Sequence, residues 1–302
     1  MKRLILIVLG VILLSGNVAA KMITERDGGA LIVKASTTEE AKQLFRDYSF
    51  EYDRYNARIP RIYFKRLPSD WTQTKDNAAK HRTLIRILLP LVMKVNEEIL
   101  QEREKLTAII KKFMQDEKLS AVETEFVEEM ARKYDAATPA KGEGRIKILL
   151  IQLYKKIDAV PPSIMVSTAI IYTNWGTSRL ATEANSLYKE EVWYTNQGLK
   201  PLDDADDNYR YRVFTDLEDS IRQHALRINS HIDYDYFRVV RQHQSHTGKS
   251  PSGTMLAAQM MHDSNFKNIA GMIDYTLSYY KLEYTDNFPQ LVDYDKLQAP
   301  AE

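Results

Sequence analysis

The acidic side chains that could carry out chemistry lie in the second half of the chain. They are Glu183, Glu190, Glu191, Asp203, Asp204, Asp206 and Asp207. Two carboxyl groups on either side of a glycosidic bond can cleave it when one keeps a proton near neutral pH and the other acts as base, nucleophile or charge stabiliser. A cluster of acids in a loop is more often only solvated. The acidic residues alone therefore leave both interpretations open.

The histidines are a second group of candidate residues. His224 and His231 lie seven residues apart on one face of a predicted helix, and His243 and His246 have a spacing typical of metal ligands. That second pair falls where a predicted helix ends before Gly248, and the chain has no H-E-x-x-H motif. It also has no phosphate-binding loop, no G-x-S-x-G motif and no dinucleotide fingerprint. We expect solvated histidines, no metal ion and no cofactor.

A helical corner at residues 161–188 must position the central aromatic residues. Pro162 can begin a helix because its missing N–H costs nothing there. Tyr172 lies near the end of this helix, which Trp175 and Gly176 are predicted to terminate because glycine tolerates the left-handed cap. A second short helix is predicted at 179–185, ending at Asn185. The pattern fits the floor of a sugar-binding cleft, but it is also typical of a buried helix whose end is anchored by Trp175.

A β-hairpin is predicted after this corner. Residues 192–195 and 209–214 are rich in aromatic and β-branched side chains, and they are the only convincing strand signals after the central helices. The four aspartates lie between them, at the predicted tip. Aromatic side chains of this region could stack on sugar rings, although core packing is their commoner use. They are Trp175, Tyr188, Trp193, Tyr194 and Tyr211.

The other elements are predicted to be helical, from apolar spacing and capping boxes. The predicted helices are 39–55, 82–113 with a kink or break at Pro90, 120–134 opening on Ser120 and Glu123, 145–157, 215–228 opening on Thr215 and Glu218, 234–243, 250–262 and 269–282. Residues 59–64 are predicted to be extended, and residues 21–38 to form a loosely held segment. Lys94 and Glu98 are predicted to pair along one helix. Residues 135–144 look like a linker because they are small and contain two glycines.

Composition and charge limit the class of protein. The formal net charge of +1 gives no electrostatic case for nucleic acid as a partner. The absence of cysteine excludes disulfides, thiol catalysis and a lipoprotein anchor. Residues 1–20 are typical of a secretory signal, with Lys2 and Arg3, an apolar run at 4–14 and the small residues Val18, Ala19 and Ala20. We expect export to a bacterial periplasm with no membrane span once the signal is cleaved; an uncleaved N-terminal anchor is the alternative.

The corner carries a resemblance to a known family. The sequence WGTSRLATEANSLY at 175–188 resembles the W-G-x-S-x-x-A-x-x-x-N-N-L-F-G signature of bacterial endo-β-N-acetylglucosaminidases of the flagellar-muramidase and Bax type, which hydrolyse peptidoglycan. Residues 58–68 and 89–103 resemble the segment that Bax-type proteins carry ahead of this domain. Residues 213–234 echo a further part of the pattern. The resemblance therefore covers the chain from about residue 58 onward.

The resemblance implies a mainly α, α+β fold. We predict a lysozyme-like helical domain with one small β-hairpin lobe, preceded by an N-terminal helical region. The predicted boundaries are 1–20 for the signal peptide, 21–140 for the N-terminal helical region, 141–290 for the glucosaminidase-like domain and 291–302 for a C-terminal tail.

The resemblance also implies a catalytic site from which one group is missing. The family reads A-x-x-E-S-G-W-G-x-S, with the glutamate as general acid, and that position is Tyr172 here. A phenol titrates near pH ~10, so it is a much weaker proton donor at neutral pH than a carboxyl group with a raised pKa. The resemblance implies that Asp204 or Asp206 is the second carboxylate. The family's Tyr-Ser motif aligns with residues 262–264, which contain no tyrosine.

Three functions remain open from the sequence. The preferred hypothesis is an exported protein that binds the glycan strands of peptidoglycan, with lost or weak hydrolase activity, using Trp175, Asn185, Tyr188 and Trp193 for substrate binding. The first alternative is an active N-acetylglucosaminidase that uses a relocated carboxylate such as Glu183, Glu190 or Glu191. The second is a pseudoenzyme that binds only a cell-wall protein, with its cleft filled by bulky side chains.

Overall fold

A computed structural model of the chain describes residues 22–55, 57–202, 208–246, 250–260 and 268–297. The α-helices of these residues are α1 (Thr38–Asp47), α2 (Asn77–Met114), α3 (Ala121–Lys133), α4 (Gly142–Lys156), α5 (Pro162–Thr173), α6 (Arg179–Ala184), α7 (Leu217–Ser230), α8 (Asp235–His246), α9 (Gly253–Ala257) and α10 (Ile269–Tyr279). The strands are β1 (Ile23–Asp27), β2 (Ala30–Ala35), β3 (Ile59–Pro60), β4 (Ile62–Phe64), β5 (Glu191–Trp193), β6 (Tyr209–Tyr211) and β7 (Leu291–Val292). Short 3-10 helices are Trp71–Gln73, Ile232–Tyr234, Ala258–Met260, Leu282–Asn287 and Tyr294–Leu297.

The described residues are mainly helical with small sheets, at 59% helix and 10% strand, which confirms the predicted α+β lysozyme-like class. The predicted signal peptide lies outside the described residues. Buried apolar side chains from the N-terminal region and from the helices after residue 141 belong to one continuous core. The predicted domain boundaries stay predictions.

Helix α2 runs through the centre of the core. It is 38 residues long and continues through Pro90 without a break, so of the predicted kink or break only the kink stays a prediction. A proline removes one helical hydrogen bond, and the buried apolar side chains on both sides of Pro90 outweigh that loss by packing against α5 and α7.

Ion pairs connect α2 to α7. The predicted pair between Lys94 and Glu98 is not formed. Lys94 Nζ instead lies 2.9 Å from Glu218 Oε2, and Glu98 Oε2 lies 3.0 Å from Arg222 Nη2. Glu218 also binds Arg222 at 2.6 Å and is therefore unavailable for the predicted capping box with Thr215. Asp216 caps α7 instead, by accepting a hydrogen bond from the Asp219 N–H.

The N-terminal segment forms strands, which corrects the prediction of a loosely held segment. Strands β1 and β2 are antiparallel, and β2 runs parallel to β4. Strand β3 pairs with β7, near the end of the described chain. The sequence signal was the short apolar run at residues 30–33, in which Leu31 and Val33 lie in the core. The prediction that residues 59–64 are extended is confirmed by β3 and β4, whereas the strands Ile23–Asp27, Ala30–Ala35 and Leu291–Val292 were not predicted.

Helix α5 and the corner after it position the candidate site. Pro162 occupies the first turn as predicted, and residues 162–170 are all buried. The helix ends at Thr173, slightly earlier than predicted, because Asn174 takes the left-handed cap conformation. Trp175 and Gly176 also have positive φ. A Cβ atom on Gly176 would lie 2.8 Å from Trp71 Nε1, so only glycine fits this close approach.

The predicted hairpin is present, with shorter strands. Strands β5 and β6 are antiparallel, with Trp193 opposite Tyr209. The short helix α6 is also as predicted, with the Ser178 hydroxyl as its N-cap. One backbone hydrogen bond extends the pairing of the hairpin, since Arg212 N donates to Glu190 O at 2.8 Å. Another ties the end of the hairpin to the corner, since Phe214 N donates to Ala184 O at 2.8 Å.

Candidate functional site

A cleft of about 400 Å³ lies beside the C-terminal end of α5, between the β5 strand and the junction of α7 with α8. Its walls combine aromatic, acidic and basic side chains. The lining residues are Tyr172, Tyr188, Lys189, Glu190, Glu191, Trp193, His224, Arg227, His231, Asp233, Tyr234, Gln259 and Met260. Sugar-binding clefts have this mixture of ring faces and polar groups.

Tyr172 lines this cleft from the last turn of α5. Its helix is rigidly held at the other end, because Asp286 Oδ1 accepts from Ser163 N at 3.0 Å and Asp286 Oδ2 accepts from Ser163 Oγ at 2.7 Å. The Gly253 N–H donates to the same carboxylate at 2.7 Å, which joins α9 to this end of α5. The residue at the family's acid position therefore has a fixed place in the cleft wall.

Glu190 contributes a buried carboxyl group to the same cleft. Its exposed fraction is 7%, and among the described residues its Oε2 atom has no hydrogen-bond partner. Arg212 Nη1 lies 3.9 Å from that oxygen. Burial raises the pKa of Glu190, whereas the charges of Arg212 and Arg227 act in the opposite direction. A carboxyl group that keeps its proton more readily is what a general acid requires.

Tyr188 and His224 form the floor of the cleft. Their rings stack with centroids 3.9 Å apart and planes 8° apart, and the Tyr188 hydroxyl donates to Met165 O at 3.2 Å. His224 is 3% exposed, and burial lowers its pKa to about 3, so the ring is neutral at ordinary pH. No hydrogen-bond partner for His224 Nε2 lies among the described residues. The expectation that this histidine is solvated is therefore wrong.

The junction of α7 with α8 forms the opposite wall. Burial raises the pKa of Tyr234, and Arg227 donates a hydrogen bond to it. His231 accepts from the Asp233 N–H through Nδ1 at 3.3 Å and so caps the short 3-10 helix between the two α-helices. Cationic and aromatic groups therefore face Glu190 across the cleft.

The predicted substrate-binding residues are divided between this cleft and other places. Tyr188 and Trp193 line the cleft with Tyr172, and Trp193 is 52% exposed. Trp175 is not among the lining residues; its ring stacks on His81 with centroids 3.6 Å apart. Asn185 is also elsewhere, since its Nδ2 atom donates to Phe214 O at 3.2 Å. The binding assignments of all four residues stay predictions.

The predicted carboxylates are likewise divided, between this cleft, another cavity and residues outside the described ones. Asp204 and Asp206, like residues 262–264, lie outside the described residues. Glu183 forms the ion pair expected along its helix, with its Oε2 atom 2.9 Å from Arg179 Nε. It lines a different cavity, next to Asn185, so of the three glutamates predicted as possible replacements only Glu190 and Glu191 line the cleft with Tyr172.

Sequence reasoning gave little weight to Glu190 and did not assign His224 or Arg227 to the cleft. A signal for the α7 wall was present, because residues 213–234 echo the family pattern. That pattern does not indicate which of its residues face a cavity, since this depends on how α7 packs against α2.

The described part of the chain contains no cluster of three or more histidine, aspartate or glutamate side chains arranged to hold a metal ion. Among the same residues, no helix combines the length and apolar composition that crossing a membrane requires.

Comparisons with known proteins match the part of the chain that forms the cleft. Residues 149–276 match the family model described as glucosaminidase, mannosyl-glycoprotein endo-beta-N-acetylglucosaminidase. The protein named Protein bax, from Escherichia coli (strain K12), is 24% identical over 196 residues, which are 63% of this chain and 64% of that protein. The chain thus aligns with less than two thirds of this relative's length. No solved structure matches the chain.

Proposed function

Because this chain is a divergent member of the Bax-type endo-β-N-acetylglucosaminidase family, as its sequence signature predicted, we propose that its cleft binds the glycan strands of peptidoglycan. The observation that carries the proposal is an aromatic-lined cleft that holds Tyr172 where the family has its acid. Weak or absent hydrolysis is part of the proposal.

The shape of the cleft supports glycan binding. About 400 Å³ is open, with the half-exposed Trp193 ring at one side and charged and hydroxyl groups at the other. Aromatic rings suit the apolar faces of sugars, and the polar groups suit their hydroxyl and acetamido substituents. A protein that uses this face only to bind another protein should fill the cleft with bulky side chains, and the open space favours the glycan.

Weak hydrolysis follows from the chemistry of Tyr172. Removing a general acid costs a factor of about 10²–10⁴ in rate. A tyrosine hydroxyl at that position can donate a hydrogen bond to a glycosidic oxygen, but it does not transfer a proton readily at neutral pH.

The test restores the missing acid. We expect Tyr172→Glu to hydrolyse purified murein in a zymogram at least about 100-fold faster than the wild-type protein. The matched control is Tyr172→Gln, which has the same length as glutamate and no proton to give, and it should remain as slow as wild type. Robust cleavage by the wild-type protein would overturn the proposal of weak hydrolysis and leave the proposal of glycan binding in place.

Glu190 supports a second candidate function, an active glucosaminidase with a relocated acid. Its buried carboxyl group lies in the wall of the same cleft, and burial raises its pKa. If the wild-type protein cleaves murein, Glu190→Gln should abolish that activity, whereas Glu183→Gln should not, because Glu183 lines another cavity. Equal activity of both variants would exclude Glu190 as the acid.

The proposed site of action is the bacterial periplasm. The support for it is the signal-like run at residues 1–20 and the cell-wall substrate that the proposal assigns. Cell fractionation should recover the mature protein with the periplasmic contents, and a pull-down with murein sacculi should retain it. A protein that binds cell-wall proteins but not purified sacculi would instead fit the interaction-protein alternative.

A further inference from the structure

A second groove, separate from the cleft, lies between the start of α2 and the end of α10. Its volume is about 500 Å³, and its walls include Tyr52, His81, Arg82, Tyr275, Tyr279 and Tyr280. We call these six residues the tyrosine groove. None of them lines the cleft that contains Tyr172.

Two rings of the tyrosine groove face water. Tyr275 is 66% exposed and Tyr279 is 64% exposed. They lie one helical turn apart on α10, with ring centroids 5.6 Å apart and planes 23° apart. The Tyr279 ring also contacts Tyr280 edge to face at 4.8 Å. A row of exposed aromatic rings is a typical binding surface, because each ring offers a flat apolar face and a polar edge.

The inner wall of the groove is rigid. His81 Nδ1 lies 2.7 Å from the Tyr280 hydroxyl, and the Trp175 ring stacks on His81 and contacts Tyr280 at 4.8 Å. Trp175 belongs to the corner after α5, three residues beyond Tyr172. The wall is therefore continuous with the helix end that lines the cleft, and little ordering is needed before a ligand binds.

The charged groups at the rim include both signs. Arg82 and Lys281 are exposed cations, and Asp53 is a half-buried acid. The stem peptides of peptidoglycan carry free carboxylates, as do lactyl groups from which the peptide has been removed, and the two cations suit these groups. Sugar hydroxyl groups can donate to a carboxylate such as that of Asp53. A neutral apolar partner would gain nothing from these groups.

We propose that the tyrosine groove binds a second stretch of a glycan strand, outside the cleft. The proposal rests on the proposed function, since it assigns the same polymer to both surfaces. Two contacts on one polymer raise the affinity for long strands through effective concentration, whereas an oligosaccharide short enough to occupy only the cleft gains nothing from the groove.

The test compares long and short glycans with matched variants. The double variant Tyr275→Ala/Tyr279→Ala removes both exposed rings, and the control Tyr236→Ala removes an equally exposed tyrosine (64%) from α8. Binding to murein sacculi should weaken about tenfold in the double variant and stay unchanged in the control. Binding of an N-acetylglucosamine tetramer, measured by calorimetry, should be the same in all of these proteins. Thermal unfolding checks that the variants fold.

A third variant separates the possible outcomes. Trp193→Ala alters the cleft and should weaken binding of both the tetramer and the sacculi. If the double variant binds sacculi like the control while Trp193→Ala binds them weakly, the groove proposal is overturned and the proposed function stands. If the wild-type protein binds neither glycan, both proposals fail. Arg82→Glu gives an independent check, because it should weaken sacculus binding without removing any ring.

Discussion

Two buried polar regions of this molecule are built in opposite ways. Where α4, α7 and α8 meet, Arg241 is fully buried and donates to five oxygen atoms. The acceptors are Lys155 O, Lys156 O, Asp158 O, Ala159 O and Asn229 Oδ1, at 2.7–3.3 Å. In the cleft, Glu190 Oε2 and His224 Nε2 are buried without a hydrogen-bond partner among the described residues.

The difference separates structural polar groups from candidate functional ones. Arg241 satisfies carbonyl groups at the end of α4 that the helix itself cannot satisfy. Burial lowers its pKa to about 10, so the guanidinium still carries its proton at neutral pH. An unpartnered buried group costs stability, and native proteins retain such groups mainly where they serve a ligand or a reaction. The unpartnered atoms make the cleft a candidate for binding or chemistry, whereas the hydrogen bonds of Arg241 have a structural role.

The largest expected effect comes from breaking the paired region. Arg241→Met keeps a long apolar stem but leaves the carbonyl groups at the end of α4 without a donor, so the free energy of unfolding should fall by about 3 kcal/mol or more. Urea denaturation at pH 7 measures the change. The control Arg46→Met removes an exposed arginine that pairs with Glu39 and should cost at most about 0.5 kcal/mol. Equal losses in the two variants would contradict the comparison.

Sequence reasoning succeeded where the determining contacts are local. The capping box of Ser120 with Glu123, the proline at the start of α5 and the aromatic strands of the hairpin all act within a few residues, and each is present in the structure. The family signature also directed attention to a helix end that lies beside a cleft, because Tyr172 is one of the cleft's lining residues.

The rest depends on contacts between distant segments. Helix α2 continues through Pro90 because other helices pack around it, and Lys94 finds its partner 124 residues away at Glu218. Glu190 and His224 look ordinary in the sequence. They become candidate site residues only because α7 and the β5 strand bury them beside Tyr172.

A smaller effect should come from His224, whose pKa is about 3 in the folded protein and near ~6.5 when the chain is unfolded. Between these values the unfolded chain binds a proton and the folded protein does not, so acidification favours unfolding. From pH 7.5 to pH 5 this group should lower the free energy of unfolding by about 2 kcal/mol. His224→Phe keeps a ring against Tyr188 and should remove this acid-dependent loss in the free energy of unfolding.

Urea denaturation of His224→Phe at both pH values measures its pH dependence. The control His243→Phe replaces an exposed histidine, so its stability should keep the pH dependence of the wild-type protein. If His224→Phe remains as sensitive to acid as the wild type, the His224 ring is not held neutral in the folded protein. Glu190 would then be the remaining buried cleft residue that contrasts with Arg241.

The smallest effect should have the opposite sign and concerns Glu190. Burial raises the pKa of Glu190 above its usual 4.5, so the folded protein holds this proton more tightly than the unfolded chain. As the pH rises through the window between the two pKa values, the unfolded chain loses the proton first and the folded state loses stability. Glu190→Gln cannot ionise, and at pH 7 it should therefore be more stable than wild type by up to about 1 kcal/mol.

Thermal unfolding at pH 7 and pH 4 tests this sign. The advantage of Glu190→Gln should shrink at pH 4, where the wild-type carboxyl group is mostly protonated in both states. Glu183→Gln, at an exposed position on α6, should show no comparable gain. A loss of stability at pH 7 would mean that the attraction of Arg212 and Arg227 outweighs burial. Glu190 would then be a structural ion-pair residue like those that join α2 to α7. Among the described residues, Glu191 and Asp233 would be the acids of the cleft wall that remain to replace the missing proton donor.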